Sequence, residues 1–211
     1  MEIREFGKAD ARTVLIQPVD EHDLAAIGSE VGLIREATED FRLITVKVND
    51  WNTDLSPWEA PPVFGTARFG AGAPAFLDGI LSLCADRSRT YGIGGYSLAG
   101  LFALWAACQT NVFAGVAAAS PSIWFPRFTD YMRERPIRCR HVYLSLGDRE
   151  ERTRSPVMAA VGTKIREAYD VLCAQGVGCV LEWNEGNHFR EPDRRTAKAF
   201  VRLLNEINRE G

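Results

Sequence analysis

A serine stands in the run Gly94-Gly95-Tyr96-Ser97-Leu98-Ala99-Gly100, between a short apolar stretch and one that is apolar nearly all round. If a strand feeds straight into a buried helix there, Ser97 must sit on a very sharp turn. The residues two positions to either side must then be small, because strand and helix backbones nearly touch. Gly95 and Ala99 meet that need. The pattern G-x-S-x-A is a small-residue variant of G-x-S-x-G, the turn that lifts a nucleophilic serine clear of a sheet. Such a turn also aims the helix N-terminus and the Leu98 N–H at developing negative charge. A plain glycine-rich turn with Ser97 as a helix N-cap would use the same residues, so position has to decide. An activated serine needs a base, and the base an orienting acid. With this turn the chain order is serine, acid, histidine.

Three histidines are available. His22 precedes Ser97, and His141 opens a strand pattern where packing is its expected role. His188, in Glu185-Gly186-Asn187-His188-Phe189, follows the last strand pattern. Catalytic groups of open α/β sheets gather at the carboxyl ends of strands, so His188 is the expected base. The acid should follow the preceding strand, where Gly147-Asp148-Arg149-Glu150-Glu151 offers candidates. Glu150 is the choice, because Gly147 turns the chain and a carboxylate three residues on can swing toward a histidine; Asp148 is next. All of these acids could instead be solvated beside Arg149, Arg152 and Arg154, leaving a Ser–His dyad.

Other chemistries find less support. Gly70-Ala71-Gly72-Ala73-Pro74-Ala75 matches G-x-G-x-x-A, but it follows a loop and contains a proline, so it is not a dinucleotide fingerprint. There is no phosphate-binding G-x-x-x-x-G-K-[ST] run and no zinc-type histidine or cysteine cluster. Two aromatic stretches follow strand patterns: Trp51, Trp58, Phe64 and Phe69, then Trp124, Phe125, Phe128 and Tyr131. Both should lie on the catalytic edge, with Trp51 and Trp124 lining an apolar pocket.

The elements that must position these groups alternate in type. Short apolar runs at Thr13–Gln17, Phe41–Val48, Thr90–Tyr96, Val112–Ala119, His141–Leu146 and Gly178–Trp183 read as strands. Helical patterns cover Leu24–Arg35, the stretch after Pro74, Leu98–Gln109, a long helix opened by Ser155-Pro156, and the C-terminal stretch after Asp193. That alternation predicts a mostly parallel sheet of about six strands with helices on both faces.

Composition is that of an ordinary soluble domain: 211 residues, 46% hydrophobic, 25% charged and a net charge of −3. A single domain over residues 1–211 suits this length. The balance excludes a domain-wide basic footprint for nucleic acid. The apolar runs are far shorter than the ~20 residues of a membrane span. Acids dominate from Val19 to Ala60, and arginines from Arg127 to Arg154. Both runs read as solvated surface, with the sharper option that the arginines meet an anionic substrate group. Five cysteines without a CxxC pair, mostly in apolar patterns, fit free thiols and a reducing compartment. The charged start MEIREFGKADAR has no signal-peptide pattern, and a cytoplasmic protein is expected.

Four stretches in order, GGYSLAG, Ser120-Pro121-Ser122-Ile123-Trp124-Phe125, Leu144–Glu150 and Glu185–Phe189, resemble the esterase D-like branch of the α/β-hydrolases. That branch includes siderophore-ester hydrolases, S-formylglutathione hydrolase and mycolyltransferases, and the resemblance runs from about Thr13 to Asn205. It implies an α/β-hydrolase fold, Ser97 as nucleophile, His188 as base, an acid in the Gly147–Glu151 loop, and no metal or cofactor. Measured against that branch, the strands before Thr13 are expected to be missing, an N-terminal shortening that exposes a sheet edge for a homodimer to cover. The usual glycine-rich oxyanion loop is replaced by Gln17-Pro18-Val19-Asp20, which puts the second oxyanion donor at the backbone near Val19, beside Leu98. The resulting expectation is a serine esterase with a Ser97–His188–Glu150 triad acting on a small ester or thioester. Acyl transfer to an alcohol, or an inactive fold that binds a ligand, are the alternatives.

Overall fold

The computed structural model describes residues 1–63 and 65–209; Phe64, named above with the first aromatic stretch, lies outside them. In chain order the elements begin with β1 (Ile3–Gly7), β2 (Thr13–Val19), α1 (Glu21–Ala37), β3 (Arg42–Lys47), α2 (Trp51–Asp54) and α3 (Ala73–Leu83). They continue with β4 (Thr90–Tyr96), α4 (Leu98–Gln109), β5 (Phe113–Ala119), α5 (Phe128–Glu134) and β6 (His141–Gly147). The last are α6 (Pro156–Ala159), α7 (Val161–Ala174), β7 (Gly178–Asn184) and α8 (Pro192–Arg209).

The strands form one seven-stranded sheet in the order β1-β3-β2-β4-β5-β6-β7. Every neighbouring pair is parallel except β1 with β3. Helices α1 and α8 cover one face through Ile27, Val31, Ile34, Phe200 and Leu204. Helices α3, α4 and α7 cover the other. Burial on both faces explains why the central strands read as unbroken apolar runs. Helix α4 is buried from Leu98 to Cys108, which matches its all-round apolar sequence.

Three expectations need correction. A strand does precede Thr13: β1, Ile-Arg-Glu-Phe-Gly, pairs with β3, and its residues are mostly exposed. An edge strand that buries so little carries no alternating apolar signal, and Arg42 fastens it by an ion pair to Glu5 at 2.6 Å. The strand expected over Thr13–Gln17 does not stop at Gln17: β2 runs through Pro18 to Val19. Pairing with β4 stops at Ile16, so the N–H that proline lacks is not needed on that side. The helix opened by Pro156 is interrupted at Ala160 into α6 and α7. All five cysteines are free, and Cys173 is exposed. Among the described residues no helix is long and apolar enough to cross a membrane.

One buried polar pair lies between the sheet and α1. Gln17 Nε2 donates to Glu30 Oε2 at 3.2 Å, and both side chains are nearly inaccessible. The remaining oxygens, Gln17 Oε1 and Glu30 Oε1, have no partner among the described residues. Burial pushes the Glu30 carboxyl up to about 8, the bond from Gln17 partly opposes this, and the charges of Asp23 and Asp193 add to it. The folded state therefore holds a proton that the unfolded chain releases at the ordinary carboxylate value. The stability Glu30 contributes is present in acid and lost as pH rises through about 8. Glu30→Gln keeps the shape and removes the titration. In thermal melts from pH 5 to 8.5, the Tm of Glu30→Gln relative to wild type should rise with pH; a constant difference would refute a buried titrating Glu30.

Candidate active site

Strand β4 passes into α4 through Ser97 alone, with φ 55° and ψ −120°. A non-glycine residue in that region is strained and persists only when its surroundings impose it. The imposing contacts are visible. The Ser97 N–H donates to Ala119 O at 3.1 Å, and Ser97 O accepts from Leu101 N–H at 3.1 Å and Ser122 N–H at 3.0 Å. A Cβ on Gly95 would lie 2.7 Å from the Ala99 Cβ, so the small pair flanking the serine is a packing requirement.

Ser97 Oγ lies 3.1 Å from His188 Nε2, and His188 Nδ1 lies 2.7 Å from Glu150 Oε2. Residues distant in sequence are thus brought into one line of hydrogen bonds. The other carboxylate oxygen, Glu150 Oε1, accepts from Ser120 Oγ at 2.6 Å, Gly147 N–H at 2.7 Å and Arg195 Nη1 at 3.0 Å. Burial pushes Glu150 up, but its bond to His188 and that imidazole's charge, with help from Ser120 and Gly147, hold it below the usual carboxylate range. An ionised carboxylate only accepts, so His188 Nδ1 carries a proton and Nε2 is left to accept from Ser97.

Arg195, on α8, was not singled out from sequence. Its side chain is 4% exposed and Glu150's is 3%. The guanidinium also donates to Tyr96 OH at 3.1 Å and Glu185 O at 2.9 Å. Tyr96 OH in turn donates to His188 O at 2.7 Å, so the same arginine braces the loop that carries the imidazole. An arginine in an ordinary amphipathic helix reads as solvated, which is why the sequence carried no signal. Asp148, the second acid considered, is half exposed and accepts from Gly186 N–H at 2.7 Å. It ties the β6 and β7 loops together and does not meet His188.

The pair Ser97–His188 opens into a cleft of about 480 Å³. Trp51, Phe69, Trp124, Met158 and Phe189 form apolar walls, and Asn52, Ser122 and Thr153 add neutral polar groups. Trp51 and Trp124, expected from sequence to line an apolar pocket, are both among these walls. No charged Asp, Glu, Lys or Arg lines the cleft among the described residues. The Arg127–Arg154 run does not supply an anion site in it: Arg127 stacks on Trp58, and Arg133 pairs with Asp130 and Glu167. Leu98 lines the cleft, at the first position of α4, where a helix leaves its N–H unused. Val19 is not part of it. Its carbonyl accepts from Val48 N–H at 2.9 Å, and a strand residue directs its N–H to the same side as its C=O, here toward β3. The next N–H, of Asp20, is taken by the Asp23 carboxylate at 3.2 Å in the capping box of α1. Among the described residues no group of three or more His, Cys, Asp or Glu is placed to hold a metal.

No family model matches this chain, and no curated protein does. Solved structures do. The siderophore hydrolase EstA from Aspergillus nidulans superposes with a TM-score of 0.64 at 20% identity, over 95% of this chain and 85% of that one. The enterobactin esterase FES from Shigella flexneri gives 0.66 at 14% identity, over 97% of this chain and 55% of that one, so the chain spans about half its length. Esterase PE8 gives 0.61 at 16% identity, over 97% of both chains. The chain has the α/β-hydrolase fold. In this fold the antiparallel β1 precedes the parallel strands, and the serine turn follows the central β4.

Removing one member of a buried ion pair leaves the other charge uncompensated and costs about 3–5 kcal/mol. Arg195→Met should lose stability of that order in denaturant unfolding, with Arg195→Lys losing less. A change below about 1 kcal/mol, the scale of an exposed pair, would contradict the buried contact with Glu150.

Proposed function

We propose that the protein is a serine hydrolase of neutral carboxylic esters or thioesters. The observation that carries this reading is the bonded line Ser97–His188–Glu150 opening onto an uncharged, aromatic-walled cleft. The printed names of the similar structures, a siderophore hydrolase, an enterobactin esterase and an esterase, support ester hydrolysis in general.

In this reading His188 Nε2 takes the Ser97 proton as Oγ attacks the acyl carbon. The Leu98 N–H donates to the resulting oxyanion, and His188 returns its proton to the leaving group. Water then repeats the sequence on the acyl-enzyme. Glu150 orients the imidazole and stabilises its protonated form. Because the walls are apolar and uncharged, a neutral acyl group is favoured over an anionic one, which would lose its hydration without gaining a partner. The five free thiols favour a cytoplasmic setting.

A fluorophosphonate probe with peptide mapping tests the core of this reading. It should modify Ser97 alone, and Ser97→Ala and His188→Ala should both abolish labelling; strong labelling of Ser97→Ala would overturn it. The acid is tested separately with p-nitrophenyl butyrate. Glu150→Gln should lower kcat by on the order of a hundredfold or more with little change in KM, by analogy with serine triads. Asp148→Asn keeps the acceptor for Gly186 N–H and should stay near wild type. If Asp148→Asn is the crippling change, the two acids exchange roles. If neither matters, the site runs as a dyad. Finally, butyrate should be cleaved with a higher kcat/KM than the hemisuccinate ester; the reverse preference would contradict a neutral acyl site.

A further inference from the structure

The cleft contains a second serine that the mechanism above leaves unused. Ser122 is 2% exposed, lines the cleft, and has its Oγ 3.1 Å from Ser97 Oγ. It is fixed to the nucleophile's own residue, since the Ser122 N–H donates to Ser97 O at 3.0 Å. On the other side, Ser122 O accepts from Phe125 N–H at 2.9 Å.

The direction of the hydroxyl contact follows from the protons. His188 Nδ1–H is committed to Glu150, so Nε2 accepts, and the single Ser97 proton goes to it. Between the two hydroxyls Ser122 is therefore the donor. It presents an O–H, held in a buried position, to the oxygen that attacks the substrate.

A second observation says what that donor is for. An oxyanion formed beside Ser97 has the Leu98 N–H on one side. At the end of β2 the Val19 N–H is turned toward β3 and the Asp20 N–H is bonded to Asp23, so neither is free to serve as the second donor. We infer that the Ser122 hydroxyl is the second oxyanion donor of this site. The inference rests on the hydrolase reading above. As Ser97 Oγ bonds to the acyl carbon, its proton passes to His188 and the carbonyl π pair moves onto oxygen. The Ser97 oxygen then gives up the lone pair that accepted from Ser122, and the Ser122 proton turns to the new oxyanion. When the intermediate collapses, the π bond re-forms and the leaving group departs with the proton from His188. Ser122 itself stays neutral throughout.

The test compares p-nitrophenyl acetate with its thionoester, whose thiocarbonyl sulfur is a poor hydrogen-bond acceptor. Losing one oxyanion donor typically costs about 10²–10³ in kcat. Ser122→Ala should lower kcat on the acetate by on the order of a hundredfold with KM little changed, and lower thionoester turnover far less. Ser122→Thr, which keeps the hydroxyl, should recover most of the acetate rate. Equal losses on both substrates would overturn the assignment, because a residue that merely orients Ser97 slows both alike. An acetate rate within about twofold of wild type would overturn it too, being far below the loss expected for an oxyanion donor. Failure of the hydrolase reading looks different: wild-type Ser97 would resist the fluorophosphonate probe, and the role of Ser122 would fall with it.

Discussion

Glu150 is a carboxylate almost entirely removed from water, and the arrangement around Ser97 depends on how that charge is satisfied. An ion in such a place is costly unless its lone pairs are filled. Here the donors come from separate parts of the chain: His188 after β7, Ser120 at the end of β5, Gly147 at the end of β6 and Arg195 on α8. Meeting one carboxylate's demand therefore fixes the relative positions of the last strands and the last helix. Arg195 extends the constraint, because it also reaches Tyr96 at the end of β4 and Glu185 in the histidine loop. A buried ion pair is a poor source of net stability, and its value here lies in geometry.

The second constraint is steric. Ser97 holds a strained backbone because β4 and α4 leave no room for a longer connection. Both elements are interior: β4 lies between β2 and β5, and α4 is covered on all sides. Strain placed at the centre of the best-packed region can persist, since relaxing it would open the core around it. The serine is thereby presented at a fixed point to which the histidine loop is brought by its own network.

The cleft takes its character from what the loops leave out. Its walls come from segments following β3, β5, β6 and β7, all at the carboxyl edge of the sheet. Those loops are rich in charge, yet the ions pair with one another outside the cleft, as Arg190 does with Glu185 and Arg149 with Asp148. What faces Ser97 is aromatic and neutral. The donors that line it are the Leu98 N–H, the Asn52 amide and the Ser122 and Thr153 hydroxyls, which supply polarity without a competing ion.

Much of this is legible in the sequence. The apolar runs of the interior strands, the all-round apolar α4 and the small residues flanking Ser97 are local consequences of burial, and burial writes itself into residue type. Chain order then points to His188 as the expected base, and the turn at Gly147 puts Glu150 ahead of Asp148 as the expected acid. The features that were not legible share a physical reason: they depend on partners remote in the chain. Strand β1 is held by edge pairing and an ion pair rather than by an apolar pattern. The Val19 N–H is turned toward β3, a partner remote in the chain, whereas the Asp20 N–H is taken locally by Asp23 in the capping box of α1. Arg195 reads as a solvated helix residue until packing encloses it with Glu150. Residue types decided which groups were available for chemistry; only the tertiary structure decided which of their hydrogen-bonding atoms were still free to act.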